Sequence, residues 1–353
     1  MRLHGFMEEV TRSGEYLGAV TLVGRNGRIV DWRAYGYRDV ARTSPMDVEA
    51  IFRIYSMTKT VAVVAVLILE EEGKLALDDP VGKHLPEFAG RPATLRHLLT
   101  HTTGFAQASE AVEKSADLKS YAEAASRLPQ AAVPGTRFEY NSVNTEVASR
   151  LVEVVSGKPF DAFLRERIFV PLRMVDTGFY VPAEKRARIA EMTSTDHEGR
   201  IIAWPAGDSA LPGSMMRPWF SGAGGLYSTA TDFARFCQTL LDGGQLDGVR
   251  ILSRRSVDRM MTNQLGQLDP PVSQYGEGHG LGGFVNLDAP GRERPGSAGA
   301  FGWSGAASTY FMVDRRERLF AILLMQHIPQ GLPRDPQKIS FKFYNLVYQS
   351  LSK

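Results

Sequence analysis

Cysteine is almost absent from this sequence: 353 residues include one, Cys237, so no intrachain disulfide can form. An excess of charge is also absent, because 41 basic and 39 acidic residues leave a net charge of +2 with both signs dispersed. This balance does not indicate a positively charged surface that would bind nucleic acid or an anionic membrane, and we expect neither as a partner. Cys237 lies in the amphipathic segment 233–241, which predicts a packed thiol rather than a nucleophile.

The main apolar run, residues 61–69, is too short to cross a bilayer. It is closed by Glu70, which predicts a buried helix in a soluble protein. Glu8 and Glu9 stand where a secretory signal has its apolar core. We therefore expect a cytoplasmic protein, unless a leader has been removed.

Ser56 and Lys59 come just before that apolar run and form an S-x-x-K motif. The predicted helix places Ser56 at its N-terminus, where free backbone N–H groups and the helix dipole favour negative charge, and it places Lys59 on the same face. A serine hydroxyl needs a neighbouring base to become nucleophilic, and desolvation favours a neutral lysine that can accept its proton. Because the motif has two free positions and also occurs by chance, it needs support from the rest of the chain.

Further segments of the sequence supply that support. They are residues 16–20, 23–27, 95–105, 134–142, 171–179, 224–230 and 302–306. In order and spacing they resemble the serine hydrolases of the class C β-lactamase, DD-peptidase and family VIII carboxylesterase group, from about residue 18 to residue 326. The resemblance implies an antiparallel sheet flanked by helices plus a largely helical domain, with the active site at their junction. It implies no metal or organic cofactor.

Tyr140 matches the second motif of this group, whose tyrosine faces the nucleophile. By resemblance, Tyr140 takes the Ser56 proton and later passes it to the leaving group, since nearby ammonium groups favour a phenolate. The alternative is a core tyrosine with a satisfied hydroxyl. The sequence does not decide whether Lys59 or Tyr140 is the principal base, because their titrations would be coupled.

The third motif is expected at Trp303, Ser304 and Gly305, with the backbone N–H groups of Ala306 and Ser56 forming an oxyanion hole by resemblance. Residues 302–314 are predicted to form a strand, in which Gly305 indicates either close approach of a substrate or a bulge. Residues 302–306 do not match the nucleophile-elbow pattern, because Ala306 stands where the pattern has glycine. Ser304 is therefore a weaker candidate for the nucleophile than Ser56.

Two positions depart from the lactamase pattern. Ser142 replaces an asparagine whose amide helps to hold a β-lactam side chain, and Trp303 replaces a lysine that binds a substrate carboxylate. We predict that Ser142, Trp303, Ser304 and Gly305 contribute to substrate binding. The missing cation favours neutral esters over penicillins or peptides with a free C-terminal carboxylate.

Strand-like residues at both ends of the chain and helical patterns between them predict a discontinuous sheet domain, residues 1–60 and 245–353, around a helical domain, residues 61–244. A terminal helix is predicted near residues 339–351. The segment 204–220, rich in aromatic residues and methionine, either lines a substrate pocket or packs over the core.

His97 and His101 are four residues apart and could share a helical face as metal ligands, but no glutamate completes H-E-x-x-H and residues 102–104 indicate a helix end. The sequence thus predicts a serine carboxylesterase acting on small or short-chain esters. One alternative is a β-lactamase or a D-specific peptidase or amidase. Another, of a different class, is a non-catalytic penicillin-recognising or regulatory binding protein. The oligomeric state is not predicted.

Overall fold

The computed structural model describes residues 2–204, 217–266, 268, 276–288 and 294–351. Its helices are α1 (Arg2–Arg12), α2 (Thr58–Glu71), α3 (Val81–His84), α4 (Leu95–Leu99), α5 (Glu110–Glu113), α6 (Leu118–Ala125), α7 (Ser142–Ser156), α8 (Phe160–Leu164), α9 (Ala230–Leu241), α10 (Arg254–Met260) and α11 (Ser340–Gln349). Short 3-10 helices lie at Tyr55–Met57, Pro86–Phe88 and Ala183–Arg188, and a π-helical turn lies at Arg165–Phe169.

The strands are β1 (Gly18–Arg25), β2 (Arg28–Gly36), β3 (Phe52–Arg53), β4 (Thr193–Thr195), β5 (Ile201–Ala203), β6 (Tyr227–Ser228), β7 (Gln245–Leu246), β8 (Val249–Arg250), β9 (Glu277–His279), β10 (Phe284–Asn286), β11 (Phe301–Gly305), β12 (Thr309–Asp314) and β13 (Leu319–Leu324). Within the described residues, seven of them form one antiparallel sheet in the order β2-β1-β13-β12-β11-β10-β9. Strand β1 pairs with β13, with Val20 opposite Leu324. The two ends of the chain therefore share a sheet, which confirms the predicted fold class.

Strand β13 is apolar at every position because both faces of the sheet are covered. Phe320, Ile322 and Leu324 belong to the large core that includes α2 and α9, whereas Leu319, Ala321 and Leu323 belong to a second core with α1 and α11. Side chains of a strand alternate between its faces, so this sequence buries one set on each side. Helix α9 packs against β1, β12 and β13, and the side chain of Cys237 is buried there, as predicted for a packed thiol.

The prediction of one strand over residues 302–314 is wrong. Strands β11 and β12 form a hairpin in which Gly302 pairs with Met312, and residues 306–308 make the turn. Ser308 has φ of +59° there, a left-handed conformation that reverses the chain rather than extending it. The turn places Ala306 at the end of the sheet.

Helix α2 is the centre of the large core. All of its residues from Thr58 to Leu69 are buried, and α7 packs along it. The helix ends at Glu71, inside the acidic run predicted to close it. Residues 61–69 are apolar on every side because α2 is packed against other parts of the protein on every side.

The division into a discontinuous sheet domain and a helical domain remains a proposal. The predicted terminal helix is present as α11. Residues 205–216 of the segment 204–220 lie outside the described residues; beyond them, Trp219 packs on Tyr121 and Phe220 on Phe179. Among the described helices, none combines the length and the apolar character that crossing a membrane requires.

Candidate active site

Ser56 lies in the 3-10 turn Tyr55–Met57, which runs directly into α2. The nucleophile candidate is therefore at the N-terminus of the buried helix, as the sequence predicts. Tyr55, the residue before it, has φ of +44°, an unfavourable conformation for a bulky side chain. Strained backbone of this kind is concentrated at functional sites, where surrounding structure holds it in place.

Ser56, Lys59 and Tyr140 are brought together by this turn and by the segment that precedes α7. The Lys59 Nζ donates to Ser56 Oγ at 3.1 Å, and the Tyr140 hydroxyl donates to Ser56 Oγ at 2.8 Å. Lys59 is 1% exposed, whereas Tyr140 is 38% exposed. The serine hydroxyl thus has a buried amine on one side and an accessible phenol on the other, within proton-transfer distance of both.

Lys59 has two further acceptors besides Ser56. Its Nζ donates to the carbonyl oxygen of Ala223 at 2.6 Å and to Ser142 Oγ at 3.3 Å. An ammonium group has three donors, and three oxygens surround this one. Ser142, predicted to bind substrate, lies instead against Lys59 and is not part of the cleft lining.

The ring of Tyr140 is held between other rings. Its centroid is 5.4 Å from that of Trp303 and 4.9 Å from that of His101, and Lys59 Nζ lies 4.9 Å from it. Trp303, which is predicted to contact the substrate, therefore also packs against the phenol. Such ring pairs favour one orientation of Tyr140 over others.

The third motif lies at the end of β11, close to the nucleophile turn. Gly305 packs so tightly there that a Cβ atom would overlap the carbonyl oxygen of Ile54 and Oγ1 of Thr309. Thr309 Oγ1 also donates to that carbonyl at 3.2 Å. Close packing at Gly305 thus comes from the backbone before Ser56, whereas the sequence predicted close approach of a substrate or a bulge; approach of a substrate stays a prediction.

One cleft of about 530 Å³ opens above this arrangement. Predicted site residues on its wall are Ser56, Tyr140, Trp303, Ser304, Gly305 and Ala306. Sequence reasoning missed Lys338, Ile328 and Pro329, which line the same cleft from the segment between β13 and α11. Lys338 is exposed and has no hydrogen-bond or ion-pair partner among the described residues. No short motif marks it, because only the fold brings it to the cleft.

Glu146 is a further residue that the sequence did not predict. It lies one turn beyond Ser142 on α7, is 2% exposed, and accepts a hydrogen bond from Ser221. Burial raises the pKa of this carboxyl group to about 7, while the Ser221 hydrogen bond and the nearby Lys59 charge act to lower it. Glu146 is therefore a buried titratable group that is electrostatically coupled to Lys59.

His97 and His101, the two candidate metal ligands, do not share a helical face. Helix α4 ends at Leu99, and His101 has φ of +55°. His97 Nδ1 accepts the backbone N–H of Thr94 at 3.1 Å, while His101 lies beside Tyr140. Within the part of the chain that the structure describes, no group of three potential ligands is arranged to hold a metal ion.

Comparisons with known proteins agree with the fold. The Beta-lactamase family model matches residues 3–339. Protein Rv1367c of Mycobacterium tuberculosis (strain ATCC 25618 / H37Rv) is 34% identical over 92% of this chain and 89% of its own length. Esterase EstB of Burkholderia gladioli is 28% identical over 94% of this chain and 91% of its own.

A solved structure of EstCE1, a hydrolase with promiscuous acyltransferase activity, has a TM-score of 0.82 to this one. The two are 23% identical, and the match covers 98% of this chain and 97% of the other. At that identity the likeness establishes the fold. Since the family model spans almost the whole sequence, the chain belongs to the Beta-lactamase family and is a serine hydrolase of the β-lactamase fold.

Proposed function

We propose that this protein is a carboxylesterase that hydrolyses small or short-chain esters through an acyl-enzyme on Ser56. The main support is the position of Ser56 Oγ, which is hydrogen-bonded to both Lys59 and Tyr140 in a cleft walled by Trp303. The kinship with Esterase EstB is consistent with this choice. No metal or organic cofactor takes part in the proposed reaction.

In the first half-reaction, Ser56 Oγ attacks the ester carbonyl carbon while Tyr140, which enters the step as a phenolate, takes the serine proton. The carbonyl oxygen becomes an oxyanion, which the N–H groups of Ser56 and Ala306 bind. The intermediate then collapses, the bond to the alcohol oxygen breaks, and Tyr140 returns the proton to the departing alcohol. The acyl group remains bonded to Ser56.

In the second half-reaction, water attacks the acyl carbon and gives a proton to Tyr140. The same oxyanion site stabilises the second tetrahedral intermediate. Ser56 Oγ leaves as it recovers a proton from Tyr140, and the carboxylic acid is released. Tyr140 is suited to act twice because its hydroxyl is 2.8 Å from Ser56 and its side chain remains accessible from the cleft.

The hydrogen bonds around Lys59 favour Tyr140 over Lys59 as the principal base. Three oxygens, on Ser56, Ser142 and Ala223, match the three donors of an ammonium group. A charged lysine cannot accept the serine proton, but it stabilises a neighbouring phenolate and a serine alkoxide. Lys59 is thus assigned an electrostatic role in the proposal.

Trp303 is the reason for proposing neutral esters. It occupies the position where the related lactamases have a lysine, and its ring packs on Tyr140 within the cleft. An indole ring offers apolar surface to an acyl or alcohol group and provides no charge for a carboxylate. Short-chain neutral esters are the substrates that this wall accommodates best.

One observation favours a second candidate. Lys338 lines the cleft and provides a cation that the third motif lacks. Substrates with a carboxylate, such as β-lactams or D-alanyl peptides, would gain an ion pair there. A β-lactamase or a D-specific peptidase or amidase therefore remains the alternative activity. The gain in substrate binding from Lys338 is limited, because an exposed ion pair contributes only about 1 kcal/mol or less.

The experiment that tests the proposal measures hydrolysis of three substrate classes by wild type and Ser56→Ala. These are short-chain p-nitrophenyl esters, a chromogenic cephalosporin and D-alanyl-D-alanine peptides. The proposal expects the highest kcat/KM for the esters and no turnover above background by the variant. Faster hydrolysis of the cephalosporin or the peptides would favour the second candidate. Absence of turnover on every substrate would favour a binding protein that retains the fold.

A further inference from the structure

His101 has no role in the proposed reaction, yet it is a buried polar side chain packed directly against Tyr140. It is 3% exposed and lies two residues beyond the end of α4. Its φ of +55° is uncommon for a residue with a side chain. A buried histidine in an unfavourable backbone conformation needs specific contacts to hold it there.

The contacts of His101 lie on both sides of Tyr140 in the chain. The backbone N–H of Glu139 donates to the carbonyl oxygen of His101 at 2.9 Å. The backbone N–H of Asn141 donates to its Nδ1 at 3.3 Å. The imidazole ring lies 4.9 Å from the phenol ring of Tyr140, between centroids. One residue thus binds the backbone before and after the tyrosine and contacts its ring.

These contacts require a neutral imidazole with a free lone pair on Nδ1. A backbone N–H can only donate, so Nδ1 must accept from Asn141. Thr103 Oγ1 donates to Asn144 Oδ1 at 2.7 Å, which turns the Asn144 amide nitrogen toward the same Nδ1 at 3.3 Å. Burial, together with His279 and the charge of Lys59, holds the pKa of His101 well below its ordinary value.

We infer that His101 is a positioning residue that keeps the Tyr140 hydroxyl at hydrogen-bonding distance from Ser56. Tyr140 precedes α7 and is 38% exposed, so only part of its side chain is packed, and the His101 ring is one of the groups that pack on it. Its hydroxyl must nevertheless stay near 2.8 Å from Ser56 to transfer a proton. The position of Tyr140 is inferred from these contacts alone. The effect of that position on catalysis rests on the proposed function.

The test compares two substitutions at this position. His101→Asn keeps an acceptor close to the place of Nδ1 and tolerates a positive φ, whereas His101→Gly accepts the same φ but removes the acceptor and the ring. We expect kcat of the glycine variant on a p-nitrophenyl ester to fall roughly 10- to 100-fold, which is the loss expected when a catalytic group is misplaced. Its KM should stay within about threefold of wild type. The asparagine variant should lose less than about tenfold.

A double-mutant cycle separates this role from general destabilisation. If His101 acts through Tyr140, adding His101→Gly to Tyr140→Phe should lower kcat by no more than about twofold further. Losses that multiply in the double variant, or a glycine variant with the wild-type kcat, would overturn the inference. His97→Asn is the matched control on the same segment, and its kcat should stay within about twofold of wild type.

Crystal structures of the variants give a readout that does not need activity. We expect the Tyr140 hydroxyl to leave hydrogen-bonding distance of Ser56 Oγ in His101→Gly and to keep it in His101→Asn. An unmoved tyrosine in the glycine variant overturns the inference, whether or not the protein hydrolyses esters. Wild-type inactivity on esters would instead count against the proposed function alone. Should the glycine variant fail to fold, His101→Phe takes its place, because it fills the volume without an acceptor.

Discussion

Single residues determine the geometry of this site, and an absent side chain matters as much as a present one. Gly305 allows the end of β11 to lie against the backbone just before Ser56. The turn that carries Ala306 follows directly, so the two proposed oxyanion donors depend on this packing. The sequence predicted the importance of Gly305, but its neighbour, Ile54, is far away in the chain and could not be predicted.

Gly305→Ala should weaken both stability and activity. The added methyl group would overlap the Ile54 carbonyl and Thr309 Oγ1, and backbone atoms cannot move aside as a flexible side chain can. We expect a loss of about 1–3 kcal/mol in the free energy of unfolding, measured by urea denaturation, and a lower kcat on a short-chain ester.

Gly5→Ala is the matched control for that substitution. Gly5 lies within α1, and a Cβ atom there would have no neighbour within 4 Å. Alanine should stabilise this helix by up to about 1 kcal/mol without changing kcat. An unchanged unfolding free energy and kcat in Gly305→Ala would show that β11 and the nucleophile turn are not tightly packed.

Among the elements, α7 connects the phenol, the lysine and a buried acid. Asn141 caps its N-terminus, accepting the backbone N–H of Val143 at 3.0 Å. Ser142 contacts Lys59, and Glu146 lies one turn further along the same helix. The sequence predicted the tyrosine motif at the start of this helix. It did not predict the Glu146 site, which depends on Ser221 and on packing around it.

Glu146→Gln should change how stability depends on pH. The folded protein keeps a proton on Glu146 up to about pH 7, whereas an unperturbed carboxyl group releases it near 4.5. Between these pH values the folded state binds more protons than the unfolded state, so this group makes stability fall as pH rises. Glutamine does not titrate, so the unfolding free energy of the variant relative to wild type should rise by roughly 3 kcal/mol from pH 4.5 to pH 8.

Urea denaturation of both proteins across that pH range measures the difference. Glu123→Gln on α6 is the control for the loss of one negative charge, since its side chain is 46% exposed. Its difference from wild type should stay nearly constant with pH. A constant difference for Glu146→Gln as well would mean that the buried carboxyl group does not titrate near neutrality.

At the scale of the whole molecule, the site is assembled from three distant parts of the chain. The nucleophile turn precedes α2, Tyr140 precedes α7, and Trp303 lies on β11. The order of the motifs was sufficient to predict that these parts meet, because the resemblance covers nearly the whole chain. Two of the residues that it missed, Lys338 and Glu146, belong to no motif and are positioned only through tertiary packing.

The placement of Lys338 predicts a test of substrate charge. Lys338→Ala should raise KM about two- to fivefold for a p-nitrophenyl ester whose acyl chain ends in a carboxylate, as expected for an exposed ion pair. KM for the neutral ester of similar size should not change. Steady-state kinetics on the pair of esters measures both values.

Lys342→Ala is the matched control, because Lys342 lies on α11 with its Nζ 4.4 Å from the Phe6 ring centroid. It should leave both KM values unchanged. Equal KM values for Lys338→Ala and wild type on the charged ester would remove the observation that favours carboxylate-bearing substrates.

The central claim is that Ser56 becomes acylated. Intact-protein mass spectrometry after brief mixing with a short-chain p-nitrophenyl ester tests it most directly, with wild type and Ser56→Ala compared while nitrophenol release is followed. We predict a mass increase of one acyl group together with nitrophenol release in wild type, and neither in the variant. An adduct of the same mass on Ser56→Ala, or nitrophenol release at the wild-type rate by that variant, would contradict the account.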